Sequence, residues 1–192
     1  SCIPLGIDLA RFVPDPERRA RIRRRVGAAE GTLLVGTIGH FGVDKGVDLA
    51  IGAFQDFLRR RPGRDACMVV LGSGSDAQAR ALRALVAPEF ADRIVFAGFQ
   101  PDPETWFPGF DVFLHGARRE AFGLVLAEAQ VCAVPVVAAG AGGLGAGSGR
   151  EAGGRVRGMG GRPSALLCEL VALVARSQAL SVVSGALLTS FF

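Results

Sequence analysis

Lysine is almost missing from this 192-residue chain: of its 22 basic residues only Lys45 is a lysine, and the rest are arginines. A chain so committed to guanidinium that keeps one ammonium marks that position, because a compact, strongly hydrated point charge does what a planar fork cannot. Cysteine is sparse too. The four thiols at positions 2, 67, 132 and 168 form no C-x-x-C pair and no metal-like spacing. Cys67, Cys132 and Cys168 lie in apolar runs and read as small buried hydrophobes in a reducing compartment, which argues against a disulfide scaffold or a zinc module. No metal site is expected. Long apolar runs are also lacking: the uncharged stretch Ala179 to Phe192 has 14 residues, where a bilayer span needs about 20. No secretory leader pattern is expected, and a cytoplasmic location is the resulting expectation.

What the chain does have is apolar content and glycine. Hydrophobic residues make up 49% and charged residues 21%, enough to bury a core and too little charge for a disordered chain. The 27 glycines lie largely between apolar runs, which suits tight strand-to-helix turns rather than a flexible linker. The length fits one domain. We divide it into a lead-in linker and basic helix over 1–30, a main domain over 31–178 and an apolar tail over 179–192. Arg18, Arg19, Arg21, Arg23, Arg24 and Arg25 crowd the first helix. A solvated helix face is the plain reading, and peripheral contact with an anionic membrane on the cytoplasmic side is the second. No aromatic residue interleaves with these arginines, so no nucleic-acid platform is expected.

From Leu33 onward short apolar runs alternate with amphipathic ones. Strands are expected over 33–38, 67–71, 93–97, 111–114 and 135–138. Helices are expected over 47–60, 76–86, 122–132 and 164–176, with a short helical piece over 104–107. In the first of these helices Val47, Ala50, Ile51, Phe54 and Leu58 share one face, and Pro62-Gly63 ends it. Continuous apolar strands separated by helices predict an α/β fold: a doubly wound parallel sheet in a single Rossmann-like domain. Ligands of such sheets bind beyond the carboxyl ends of the strands. That edge collects His40, Gly42, Lys45, Gly72, Ser73, Phe99, Gln100, His115, Arg118, Arg119, Glu120 and the glycines at 140, 142 and 143, so both histidines and the lone lysine converge there. Phe122, Gly123 and Leu124 open a helix whose free N–H groups and dipole attract an anion. Glu120 and Glu128 flank that anion site, placed to accept bonds from hydroxyl groups on either side of a diphosphate.

Glu120-Ala-Phe-Gly-Leu-Val-Leu-Ala-Glu128 resembles the E-x7-E motif of the retaining GT-B glycosyltransferases of family 4, the group 1 glycosyl transferases. Ala129 to Val137 is similar to the family's EAxxxGxPVV continuation, with Ala133 where glycine is usual. Gly39 to Gly46 resembles the G-R-L-x-x-x-K-G loop, and Ile3 to Asp8 followed by Phe12 resembles the segment leading into the C-terminal half of the GT-B fold. The resemblance runs from about Ile3 to Arg176. It implies a donor-binding domain for a UDP- or GDP-linked sugar, which would be substrate rather than cofactor; no cofactor is expected. Lys45 would contact phosphate, Glu120 the sugar hydroxyls and Glu128 the ribose. The backbone at 122–124 would hold the diphosphate, with the base near Gly72, Phe99 and Gln100. His40 stands where the family has an arginine, with Arg118 or Arg119 available to compensate. The acceptor would be held by an N-terminal domain missing from this chain, which alone would be inactive. A non-catalytic nucleotide-binding fragment and a GT-B epimerase are the other readings on this fold. A Rossmann dehydrogenase is the third, although it expects GxGxxG where the glycines here fall at 36, 39 and 42.

Overall fold

The computed structural model describes residues 6–119, 123–138 and 157–158. The chain enters through helix α1 (Pro16–Arg25), capped by the Asp15 carboxylate, which accepts the Arg18 N–H at 2.9 Å. Strand β1 (Leu33–Ile38) follows, then a 3-10 turn (Val43–Lys45) and helix α2 (Val47–Arg60). Next come β2 (Ala66–Leu71), α3 (Asp76–Ala84) and β3 (Ile94–Gly98). Two 3-10 turns, Pro103–Thr105 and Phe107–Gly109, precede β4 (Val112–His115), α4 (Leu124–Val131), β5 (Val136–Ala138) and β6 (Arg157–Gly158).

All six strands pair in parallel in the order β3-β2-β1-β4-β5-β6. Alternating side chains supply two cores. On one face Val35, Met68, Val70, Val112 and Leu114 pack under α2 with Ile51, Phe54 and Phe57. On the other, Leu34, Val69, Leu71 and Phe113 meet Ile22 of α1, Trp106, Phe107 and Leu126 of α4. Each large side chain so enclosed contributes about 2 kcal/mol relative to exposure, and parallel strands covered on both faces explain the continuous apolar runs. The expected apolar face of α2, Val47, Ala50, Ile51, Phe54 and Leu58, is buried throughout.

Several boundaries differ. Helix α3 starts on a Ser75–Gln78 capping box and ends two residues earlier than expected, at Ala84. The piece expected over 104–107 is two separate 3-10 turns, because Pro103 and Pro108 each restart the backbone. Helix α4 begins at Leu124, after a left-handed Gly123 with φ of 64°. The two-residue β6 has no apolar run to announce it. The expected helix over 164–176 and the tail over 179–192 lie outside the described residues.

The arginine cluster is not a uniformly solvated face. Arg23 is 5% exposed. Its Nη1 donates to Asp111 Oδ2 at 2.9 Å, and its Nη2 donates to the Ala29 and Thr32 carbonyls. Arg19 Nη2 reaches Asp111 Oδ1, while Asp111 Oδ2 also accepts the Leu34 N–H at 2.7 Å. The cluster therefore bolts α1 to the start of β1 and β4. Arg25 lies with its guanidinium 4.7 Å above the Trp106 ring, an aromatic partner that comes from a different part of the chain. Arg21 and Arg24 remain exposed.

Candidate functional site

The strand order reverses between β1 and β4, and the loops leaving these two strands touch through their backbones. Gly46 sits in the left-handed region with φ of 58°, and a Cβ there would stand 1.8 Å from the Gly116 carbonyl oxygen. No other residue fits that approach. The contact is reinforced by the Arg118 N–H, which donates to the Asp44 carbonyl at 2.8 Å. The Arg118 side chain donates to both Asp48 oxygens, at 2.8 and 2.6 Å, and to the Val43 carbonyl. Pairing with Arg118 is the main reason the Asp48 carboxyl titrates below its ordinary range. Arg118 is thus committed to holding the two loops together. Arg119 is exposed beside it, its side chain without an ion pair among the described residues.

The loops after β1, β2 and β3 are laced in the same way. The Gly39 N–H donates to the Leu71 carbonyl, the Phe41 N–H to Ser73 and the Gly72 N–H to Gly98, at 3.0, 2.9 and 2.9 Å. Gly72 has φ of 139°, and a Cβ on it would stand 1.9 Å from the Gly39 carbonyl oxygen. Between these loops lies a cavity of about 390 Å³, lined by His40, Gly72, Ser73, Phe99, Gln100 and Pro103 among others. Phe99 is 69% exposed at its mouth, an aromatic face open to a stacking partner. Gln100 is fixed by donating from Nε2 to the Ala97 carbonyl at 2.8 Å, and the His40 Nδ1 accepts the Gly42 N–H at 3.0 Å.

Of the residues singled out from sequence, the cavity brings together His40, Gly72, Ser73, Phe99 and Gln100. Gly42 and the half-buried Lys45 lie on the same loop as His40 without lining that cavity. Gly123 and Leu124 open α4, and Glu128 lies one turn further along it. His115 closes β4, buried and stacked on Phe113 with ring centroids 6.2 Å apart. Glu120, Phe122 and the glycines at 140, 142 and 143 lie outside the described residues. Burial raises the Glu128 pKa above the ordinary carboxyl value, and the charge of Glu104 adds to the effect.

Glu104 is a residue the sequence reading passed over. It is 7% exposed. Its Oε1 takes Nε and Nη2 of Arg11 at 3.1 and 2.6 Å, while its Oε2 has no hydrogen-bond partner among the described residues. Its charge is the second cause, after burial, of the raised Glu128 pKa. The available signal was Pro103 followed by an acidic first-turn residue, which says turn but not burial. Among the described residues no group of three histidine, cysteine, aspartate or glutamate side chains is arranged to hold a metal, and no helix is long and apolar enough to cross a membrane.

A six-stranded parallel sheet in this order, with its cavity outside the carboxyl ends of β1, β2 and β3, defines a Rossmann-like class of domain. Residues 32–175 match the family model described as glycosyl transferases group 1, and the chain belongs to that family. It is 36% identical over 144 residues to a D-inositol 3-phosphate glycosyltransferase of Pseudarthrobacter chlorophenolicus, covering 73% of this chain and 34% of that protein. The chain spans about a third of the length of the curated relatives it matches. Among solved structures it resembles Anabaena HepE in complex with UDP and glucose, with a TM-score of 0.74, 23% identity and coverage of 90% and 46% of the two chains. It also resembles the C-terminal domain of the group 1 glycosyl transferase LpcC from Francisella tularensis, with a TM-score of 0.68, 21% identity and 90% of each chain covered. The fold is accordingly the C-terminal half of the GT-B architecture.

Proposed function

We propose that this domain binds a nucleoside-diphosphate sugar, UDP- or GDP-linked, and presents it for transfer with retention at the anomeric carbon. The observation that carries the reading is the cavity at the ends of β1, β2 and β3, walled by glycine backbone and fronted by exposed Phe99, in a member of a glycosyltransferase family. The base enters that cavity against Phe99 and Gln100. The diphosphate lies toward Lys45 and the N-terminus of α4, where an ammonium and the helix dipole favour negative charge. Glu128 accepts ribose hydroxyls and Glu120 the hydroxyls of the sugar.

In the transfer step the bond between the anomeric carbon and the diphosphate oxygen breaks, and the acceptor hydroxyl oxygen forms the new bond on the same face of the ring while its proton passes to the departing diphosphate. Positive charge set around the departing diphosphate lowers that barrier. The acceptor is held by a further domain preceding this one in the whole protein, and turnover belongs to that assembly. The experiment is calorimetric titration of the folded 192-residue chain with UDP- and GDP-sugars. Saturable binding of one of them is expected. A folded sample that binds neither the sugars nor the free nucleoside diphosphates sinks the reading.

A further inference from the structure

The loop after β3 does two things at once. Phe99, Gln100, Pro101 and Pro103 line the cavity, and the next residue, Glu104, holds the segment by which the chain enters the domain. That segment is a tight turn. The Ala10 N–H donates to Asp8 Oδ1 at 3.0 Å, and the Arg11 and Phe12 N–H groups donate to the Asp8 carbonyl at 3.1 Å each. Phe12 is buried, its ring centroid 6.0 Å from that of Phe107. Arg11 then reaches Glu104 Oε1 with Nε and Nη2, at 3.1 and 2.6 Å.

The two partners do not depend on each other equally. The Arg11 side chain is 54% exposed and that of Glu104 only 9%, so the arginine can return to water while the glutamate stays enclosed. Among the described residues Arg11 supplies the side-chain hydrogen bonds of Glu104, whose Oε2 has no partner. Arg18 is engaged elsewhere, with Asp15 at 2.9 Å and the Arg11 carbonyl at 3.1 Å. Without Arg11 the turn would enclose a carboxylate with no partner, a costly state that is relieved when Pro103–Thr105 opens and lets Glu104 reach water. Pro103 would leave with it, and the cavity would lose part of its wall. We propose that Arg11 and Glu104 are positioning residues for the nucleotide cavity: the docked entry segment holds the Pro103 wall in place, so docking of residues 8–12 and filling of the cavity favour each other. The proposal rests on reading the cavity as a nucleotide site. Such coupling is reciprocal, so the nucleotide must also tighten the entry segment.

The test is amide hydrogen exchange of the 192-residue chain, read residue by residue by NMR, beside calorimetry with UDP and GDP. The turn reports itself through the Thr105 N–H, donated to the Asp102 carbonyl, and the Trp106 N–H, donated to that of Pro103. Without ligand, Arg11→Ala should speed exchange at both by about tenfold. Adding Glu104→Met removes the stranded charge and should bring exchange back to within about twofold of the parent. In the parent, whichever diphosphate binds should slow exchange at Arg11 and Phe12 by about fivefold, and Arg11→Ala should weaken its binding by about fivefold. The proposal is overturned if Thr105 and Trp106 ignore Arg11→Ala, or stay fast when Glu104→Met is added. It is equally overturned if the variant binds as the parent does, or if a bound diphosphate leaves Arg11 and Phe12 unprotected. Should Arg11→Ala fail to fold, that last measurement on the unmodified chain decides. Absence of any calorimetric binding overturns the nucleotide reading instead, and ligand-free exchange still decides whether Arg11 holds the wall.

Discussion

At the scale of single residues, environment sets chemistry more than identity does. Glu128 is an ordinary helical glutamate in the sequence, yet half-burial and the nearby Glu104 raise its pKa. A carboxyl raised in this way is easiest to protonate in the folded state, so its contribution to stability is largest at low pH and falls as pH rises through its folded value. Replacing Glu104 with Gln removes the like charge, and the Glu128 pKa should fall toward the ordinary range while burial keeps it partly raised. Carbon-detected NMR titration of the side-chain carboxyl reads this directly; an unmoved Glu128 would show that the two groups do not communicate. The thiols follow the same logic. Burial holds Cys132 up at about 11 and raises Cys67 as well, so at neutral pH both are protonated and poor nucleophiles, in keeping with the packing role read from their apolar flanks.

Elements are held at the switch point by contacts that join loops rather than helices. Arg118, at the end of the loop after β4, grips Asp48 in the first turn of α2 and the Val43 carbonyl before it. The pair is about a third exposed on each side, so solvent screening limits it to about 1 kcal/mol. Asp48 has a lowered pKa in the fold, so its stabilisation is complete above the unfolded carboxyl range. It is lost as pH falls below about 4 toward the folded value. Arg118→Ala should therefore be less stable than the parent by about 1 kcal/mol in urea at neutral pH, and the gap should close in acid. A gap of equal size at both ends of the titration would mean that packing, not charge, is what Arg118 supplies. Little of this joint was legible in advance. The spacing of Gly39 to Gly46 marked a loop, but not that Gly46 and Gly116 would meet backbone to backbone.

At the scale of the whole molecule, a buried charge cluster ties the entry helix to the sheet. Asp111 accepts Arg19, Arg23 and the Leu34 amide, so α1, β1 and β4 share a single carboxylate. Removing one partner of a buried pair leaves the other uncompensated, at a cost of about 3–5 kcal/mol. Asp111→Ala should lose an amount in that range by chemical denaturation, with Tm lowered by roughly 2–4 °C for each kcal/mol in a domain of this size. A loss below about 1 kcal/mol would place the cluster among ordinary surface pairs. The same cluster corrects the plain reading of the basic helix: Arg19 and Arg23 join an interior network, while Arg21, Arg24 and Arg25 are exposed.

By itself the sequence determined the succession of elements. Runs such as Leu33 to Ile38 are apolar because a parallel strand is covered on both faces, and α2 shows its buried stripe because helical period and burial coincide. These signals are local, carried by neighbours within a few residues. It also placed His40, Gly72, Phe99 and Gln100 at one edge, since strand ends in such a sheet point one way. Only the tertiary structure decided what those residues touch. Arg23 and Asp111 are separated by 88 positions and Arg11 and Glu104 by 93, and no periodicity relates them. Whether an arginine is solvated or buried, or a carboxyl ordinary or raised, depends on partners that only folding brings within reach.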